Sequence, residues 1–261
     1  MSQHRQTAQG KATSRQHHGK LPAVRLSLQP KRHRPAIQAM NPYRYSDSEI
    51  AAVYRVIRER RDMRHFRPDP LDPALLERLL HAAHLAPSVG FMQPWRFIRI
   101  TDRSLRAQVH ALVDAERQRT AVALGEREDE FMRLKVEGIL ECGEVLVAAL
   151  MDGRERHIFG RRTMPDMDLA SVACAIQNLW LAARAEGIGV GWVSLFDPDQ
   201  LGRLLRLPPG ARPVAVLCLG QVDTFYEKPM LEQEGWARRQ SLDEMVFENG
   251  WNDPSPPNRP G

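Results

Sequence analysis

The chain has 261 residues, enough for one or two domains, and is 43% hydrophobic and 26% charged, values of a soluble globular protein with one good core. Its formal net charge of +5 hints at nucleic acid until it is divided along the sequence: residues 1–40 hold eight of the 37 basic side chains and none of the 32 acidic ones, leaving 29 against 32 in the other 221. The folded part is therefore not basic and is not expected to bind nucleic acid, and no apolar run approaches the ~20 residues that cross a bilayer.

Residues 1–40 have four histidines, no aromatic side chain and little apolar periodicity, so they read as a disordered basic extension. Arg-rich, acid-free and Ser-containing, they look superficially like an organelle transit peptide, and Met40 is an alternative start. Ser46 with Glu49 forms a capping-box pattern, followed by Ile50, Val53, Tyr54 and Ile57 at helical spacing. Asp72-Pro73 is a second helix start, with Leu75, Leu76, Leu79, Leu80 and Ala83 as its stripe and Pro87 as its end. A strand is predicted over 95–100, then a helix from Asp102 to about Leu124, a charged hinge at 125–129 and a further helix through Leu140.

The run Glu144–Met151 suits a buried strand, and 152–166 reads as a polar, Arg-rich loop. Residues 168–186 are apolar almost all round, which marks a central buried helix, with Gly187 as its C′ residue. Strands at about 190–195 and 213–219 flank a short helix at 198–206. Helices and strands are interspersed without a regular βαβ rhythm, so the expected class is α+β, in one domain over 41–252 with a flexible tail at 253–261. The segment after Gly220 has too few apolar residues to fold alone.

Several chemical readings are weak. Cys142, Cys174 and Cys218 form no ligand cluster and are odd in number, so buried reduced thiols in a cytoplasmic protein are expected. His81 and His84 near Glu77 make no HExxH, so no metal is expected. The glycines of Gly187-Ile188-Gly189-Val190-Gly191 follow a helix and open a strand, the reverse of a dinucleotide fingerprint, and no Walker motif is present. Trp180 reads as core.

The informative pair of motifs is Arg60-Arg61-Asp62-Met63-Arg64 and, one helical hairpin later, Ala86-Pro87-Ser88-Val89-Gly90-Phe91-Met92-Gln93-Pro94-Trp95. The second resembles the flavin-binding loop of the nitroreductase superfamily. With Leu134–Ile139, Gln177–Gly187, Gly191-Trp192-Val193-Ser194 and Val246–Trp251, it resembles the branch that consumes reduced flavin mononucleotide (FMN) to make 5,6-dimethylbenzimidazole, the lower ligand of vitamin B12. The resemblance spans about Ser46–Trp251. It implies a nitroreductase-like fold, a central sheet flanked by helices, and a C-terminal arm laid on a partner subunit. It also implies a homodimer with flavin sites at the interface. Reduced FMN would be the substrate and O2 the co-substrate, with NAD(P)H entering only through a separate flavin reductase.

On that resemblance, the guanidinium forks of Arg61 and Arg64 suit the FMN phosphate, with Arg60 and Arg239 assisting; the structural alternative is a solvated basic helix end. Gly90 lets backbone approach a planar ring, while Ser88 and Gln93 offer hydrogen bonds; alone, these residues punctuate any loop. Met63, Pro87 and Val136 are implied cofactor contacts. Asp62 and Ser194 are the implied catalytic residues, against the alternatives of local charge balance and backbone hydrogen bonding. Two other functions stay open: a conventional nicotinamide-dependent nitroreductase or quinone reductase, and a non-catalytic flavin-binding protein. A chain starting at Met40 is expected to fold and bind flavin as the full chain does; loss of either on truncation would show that the extension is needed.

Overall fold

The computed structural model describes residues 41–251; the expectations for 1–40, Met40 and 253–261 fall outside these. Residues 41–45 belong to a separate unit and form a turn in which Asn41 Oδ1 accepts from the Tyr43 N–H at 3.1 Å. The remaining description concerns the unit that begins at Ser46.

Eleven helices and strands follow, in the order α1 (Asp47–Glu59), α2 (Pro73–His84), β1 (Trp95–Arg99), α3 (Arg103–Leu124), α4 (Glu128–Arg133), β2 (Glu144–Leu150), α5 (Met167–Ala185), β3 (Gly189–Val193), α6 (Pro198–Leu204), β4 (Arg212–Gly220) and α7 (Met230–Gln233). The start signals act as the sequence predicts. Ser46 and Glu49 close a capping box on α1, and the Asp72 and Asp102 carboxylates cap α2 and α3; Asp197, which the sequence reading did not single out, caps α6. At the end of α5, Gly187 has φ +76° and its N–H donates to the Arg184 carbonyl, while the Ile188 N–H reaches Ala183 at 2.8 Å. That is a Schellman ending, and it requires a residue without Cβ at C′.

One expected helix is shorter than predicted. α4 ends at Arg133 and 134–140 leaves helical geometry, because Gly138 sits where a Cβ would collide with the Phe66 ring and the Arg64 carbonyl. The Glu137 carboxylate takes the Ile139 N–H at 2.6 Å in place of a helical carbonyl.

The four strands form one antiparallel sheet in the order β1-β2-β4-β3. All seven residues of β2 are buried, so the sheet is covered on both faces. Leu146, Ala148 and Leu150 of β2, with Ala215, Leu217 and Leu219 of β4, pack against α2 and α5. The alternate residues Val145, Val147, Val216 and Cys218 pack against α3 and α6. Each such Leu or Val side chain contributes roughly 1.5–3 kcal/mol on burial. Pro213 has no N–H to donate to the ladder, and the register slips by one residue at Ala149↔Pro213. Cys142 and Cys218 are buried as expected; Cys174 is exposed, because it lies on the face of α5 opposite Ala175, Ile176 and Leu179.

The loop 152–166 is fastened to the first turn of α5 by a buried carboxylate. Asp168 is 4% exposed, and its Oδ2 accepts from Arg154 Nε at 2.8 Å and Arg161 Nε at 3.0 Å. Arg154 Nη1 continues to the Gly210 carbonyl at 2.7 Å.

Candidate active site

After α1 the chain runs extended beside β3, which is the edge of the sheet. Asp62 bridges Val190 in parallel fashion, and the Met63 N–H donates to the Val190 carbonyl at 2.9 Å. This approach is why the glycine run of β3 exists: a Cβ on Gly191 would strike the Met63 carbonyl. Met63 points inward and is 1% exposed. Its neighbours on either side turn outward into a cleft of about 710 Å³, within the range of small-molecule sites.

Arg58, Arg60, Arg61, Arg64, Arg239 and Lys228 line that cleft together with Phe131, Leu134, Val136, Met230, Leu231 and Trp236. The arginines have different tasks. Arg61 closes the helix end, donating to the Arg58 and Arg60 carbonyls at 2.7 and 2.8 Å and to Glu227 at 2.6 Å. Arg64 gives Nη2 to the Asp62 carboxylate and to the Trp192 carbonyl, the latter at 3.0 Å. Arg60 lies over the Trp180 ring, 4.7 Å from its centroid, and burial pushes its guanidinium below its ordinary pKa, opposed by Asp62.

Asp62 is held at two points: Oδ1 accepts the Trp192 N–H at 2.8 Å, and Oδ2 accepts from Arg64. Its side chain is 41% exposed because it faces the open cleft, while protein encloses its other sides. That enclosure raises its pKa above the usual carboxylate range, opposed by Arg64, the Trp192 amide and Arg60.

The arrangement tests directly whether an anionic flavin fits. Arg61 Nε and Arg64 Nη1 are buried without a hydrogen-bond partner, a cost of roughly 1–3 kcal/mol each that a phosphate or ring oxygen would relieve. Guanidinium forks and apolar side chains lining one cleft match the phosphate and ring of FMN.

The cleft gathers Arg60, Arg61, Asp62, Arg64, Val136 and Arg239 of the sequence-predicted residues, with Met63 directly behind them. It does not gather the others. Ser194 is exposed just past β3, two residues beyond Trp192, and Pro87, Ser88, Gly90 and Gln93 form a loop fixed elsewhere. There Ser88 Oγ accepts the Gln93 N–H at 3.0 Å, and Ser171 Oγ accepts the Val89 N–H at 3.0 Å. Gly90, Phe91 and Gln93 all have φ near +50°, so the loop is an unusual conformation held by its anchors. The third wall is made by 227–232, Trp236 and Arg239, of which only Arg239 was expected from sequence. Tyr226 ties it down, its hydroxyl accepting the Arg64 N–H at 3.2 Å and meeting His65 Nδ1 at 2.6 Å. The run Phe225-Tyr226-Glu227-Lys228 was the available signal, but nothing in its spacing says where it docks. Among the described residues no group of three His, Cys, Asp or Glu is placed to hold a metal, and His84 Nδ1 instead accepts from Trp95 Nε1 at 3.3 Å.

The sequence model described as "Nitroreductase family" matches residues 57–221. The chain belongs to the nitroreductase family. Within it, the chain is 43% identical over 187 residues to a 5,6-dimethylbenzimidazole synthase of Rhodobacter capsulatus, covering 71% of this chain and 90% of the relative. It is 43% identical over 185 residues to the protein of that name from Rhodospirillum rubrum, covering 69% and 86%. The nitroreductase fold is also that of a BluB-like flavoprotein from Clostridium difficile 630, at 18% identity, TM-score 0.59, and coverage of 75% of this chain and 98% of that one.

Proposed function

We propose that this nitroreductase-family protein fragments reduced FMN with O2 to 5,6-dimethylbenzimidazole and erythrose 4-phosphate, the four carbons and two nitrogens of the pyrimidine ring leaving as a separate oxidised fragment, and so supplies the lower ligand of vitamin B12. The observation that carries this reading is Asp62. A carboxylate with a raised pKa is clamped between a backbone amide and Arg64 on the wall of a cationic cleft of flavin size. The 43% identity to two synthases of that product supports it. Bound reduced flavin supplies the electrons and the carbon skeleton.

The chain's residues supply position and protons. Arg60 and Arg239 offer guanidinium donors to the phosphate, while Arg61 and Arg64 hold the segment and keep one buried N–H each for the ligand. Phe131, Leu134, Val136 and Trp236 give the cleft apolar surface that excludes water. Asp62, able to hold its proton to a higher pH than a free carboxylate, donates and accepts protons at the carboxylate oxygens.

Dimerisation belongs to the same proposal. One chain leaves the Pro87–Gln93 loop outside the cleft, and it leaves Val53, Tyr54 and Ile57 of α1 and Phe91 and Phe159 exposed. A second copy covers these faces and brings the loop to its partner's cleft. Among the described residues no helix is long and apolar enough to cross a membrane. NAD(P)H acts only on a separate flavin reductase.

The deciding experiment mixes the purified protein with reduced FMN and air and follows absorbance and products together. Permanent loss of flavin absorbance with benzimidazole formed is the expected result. Return of oxidised flavin with nicotinamide-driven substrate reduction would make the protein a conventional nitroreductase; return without it would leave only flavin binding.

Ser194→Ala is expected to separate oxidation from fragmentation. The hydroxyl is exposed and its loss changes little volume, so folding and phosphate binding should persist while oxidised flavin accumulates in place of benzimidazole. Both products quantified at saturating ligand check this. A parental benzimidazole yield would remove Ser194 from the chemistry, and failure to bind flavin would make it a contact only.

A further inference from the structure

Trp180 sits in the helix–sheet core at 7% exposure, where a leucine would also fill space. Its contacts go further than filling. The indole Nε1–H donates to the Arg61 carbonyl at 3.0 Å, and the ring carries the Arg60 guanidinium. On its other side it meets Trp192 at 6.3 Å between centroids, the residue whose amide holds Asp62. One side chain thus touches two consecutive arginines and the neighbour of the acid.

The manner of holding Arg60 matters. Arg61 spends Nη1 and Nη2 on three backbone carbonyls, and Arg64 spends Nη2 on Asp62 and the Trp192 carbonyl. A cation held over an aromatic ring is attracted by the ring's quadrupole and uses no N–H in doing so, so its donors remain for a ligand.

We propose that Trp180 is a positioning residue that makes the cleft selective for phosphorylated flavin, by presenting Arg60 with its donors free and fixing the backbone at Arg61. The inference rests on the reading that the cleft binds FMN with its phosphate on the arginines. Trp180 touches neither flavin nor phosphate in this scheme; it acts through Arg60 and Arg61.

The test compares dissociation constants of oxidised FMN and riboflavin, by quenching of flavin fluorescence, in the full-length parent and in Trp180→Phe, Trp180→Leu, Arg60→Gln and Arg60→Gln/Trp180→Leu. The parent is expected to favour FMN. Trp180→Phe keeps a weaker aromatic face but loses the N–H, and should reduce the preference about three- to tenfold; Trp180→Leu loses both and should reduce it by about tenfold or more. Riboflavin affinity should move less than about twofold in either. In the Arg60→Gln background, Trp180→Leu should remove less preference than it does in the parent, since only the contact with the Arg61 carbonyl is left to lose.

Equal weakening of FMN and riboflavin in Trp180→Leu would reduce Trp180 to a core residue and overturn the inference. Additive losses in the double variant would do the same. A parent that binds both flavins equally would overturn the arginine–phosphate reading itself, and this inference with it. Should Trp180→Leu not fold, Trp180→Phe decides alone: an unchanged preference overturns the proposal.

Discussion

Asp62→Asn is expected to bind reduced FMN within a few-fold of the parent and to form 5,6-dimethylbenzimidazole at least ~100-fold more slowly. Asparagine retains an oxygen for the Trp192 N–H, so the β3 contact survives, but it has no ionisable proton and no charge for Arg64. Single-turnover product yield, measured beside flavin affinity, separates the two effects. An unchanged yield would leave Asp62 as local charge balance. A pH dependence follows from the raised pKa. The folded state holds the Asp62 proton more tightly than the unfolded state, so this contribution to stability is complete below the ordinary carboxylate value and is lost as pH rises through the raised one. The stability of the parent relative to Asp62→Asn should therefore fall as pH rises through that window, as unfolding midpoints at several acid pH values would reveal. A difference that instead grew with pH would mean that Arg64 outweighs burial.

The largest loss of stability is expected for Asp168→Ala, at about 3 kcal/mol or more in urea unfolding. The substitution leaves Arg154 and Arg161, at 12% and 17% side-chain exposure, without their shared carboxylate. Domains of this kind have roughly 5–15 kcal/mol in all. Asp168→Asn keeps an acceptor and should lose less. The loop 152–166 is fastened by that carboxylate, so proteolysis there should accelerate before global unfolding in the alanine variant. A loss under about 1 kcal/mol, with no change in cleavage, would show that the two arginines find other acceptors or water at no cost.

Much of the scaffold was legible because it is local. Ser46 with Glu49, Asp72-Pro73 and Gly187 each act within a few residues, so their spacing suffices to place helix ends. The unbroken apolar run from Val145 to Leu150 marks a buried strand but not its partners, and the order β1-β2-β4-β3 came only with the structure. The expected helix through Leu140 failed because Gly138 is fixed by Phe66 and Arg64, more than 70 residues away. The candidate site follows the same division. Its arginine–aspartate segment was readable as a motif. Its third wall depends on Tyr226 and Glu227 finding Arg64 and Arg61, and Trp180 gave no sign of carrying Arg60, since an apolar helical stripe looks the same whether or not one edge of it is polar.

The bridge between Asp62 and Val190 has a consequence for the protein's life in a crowded solution. β3 is an edge strand, and an open edge is a template on which another chain can add. The residues that line the cleft are also the stopper on that edge, with Gly191 thinned to let them lie flush. Sequence drift in the Arg60–Arg64 segment is therefore constrained twice over. A change that spares the chemistry but loosens the stopper exposes sticky backbone, and the chain is lost to aggregation before its activity is ever tried.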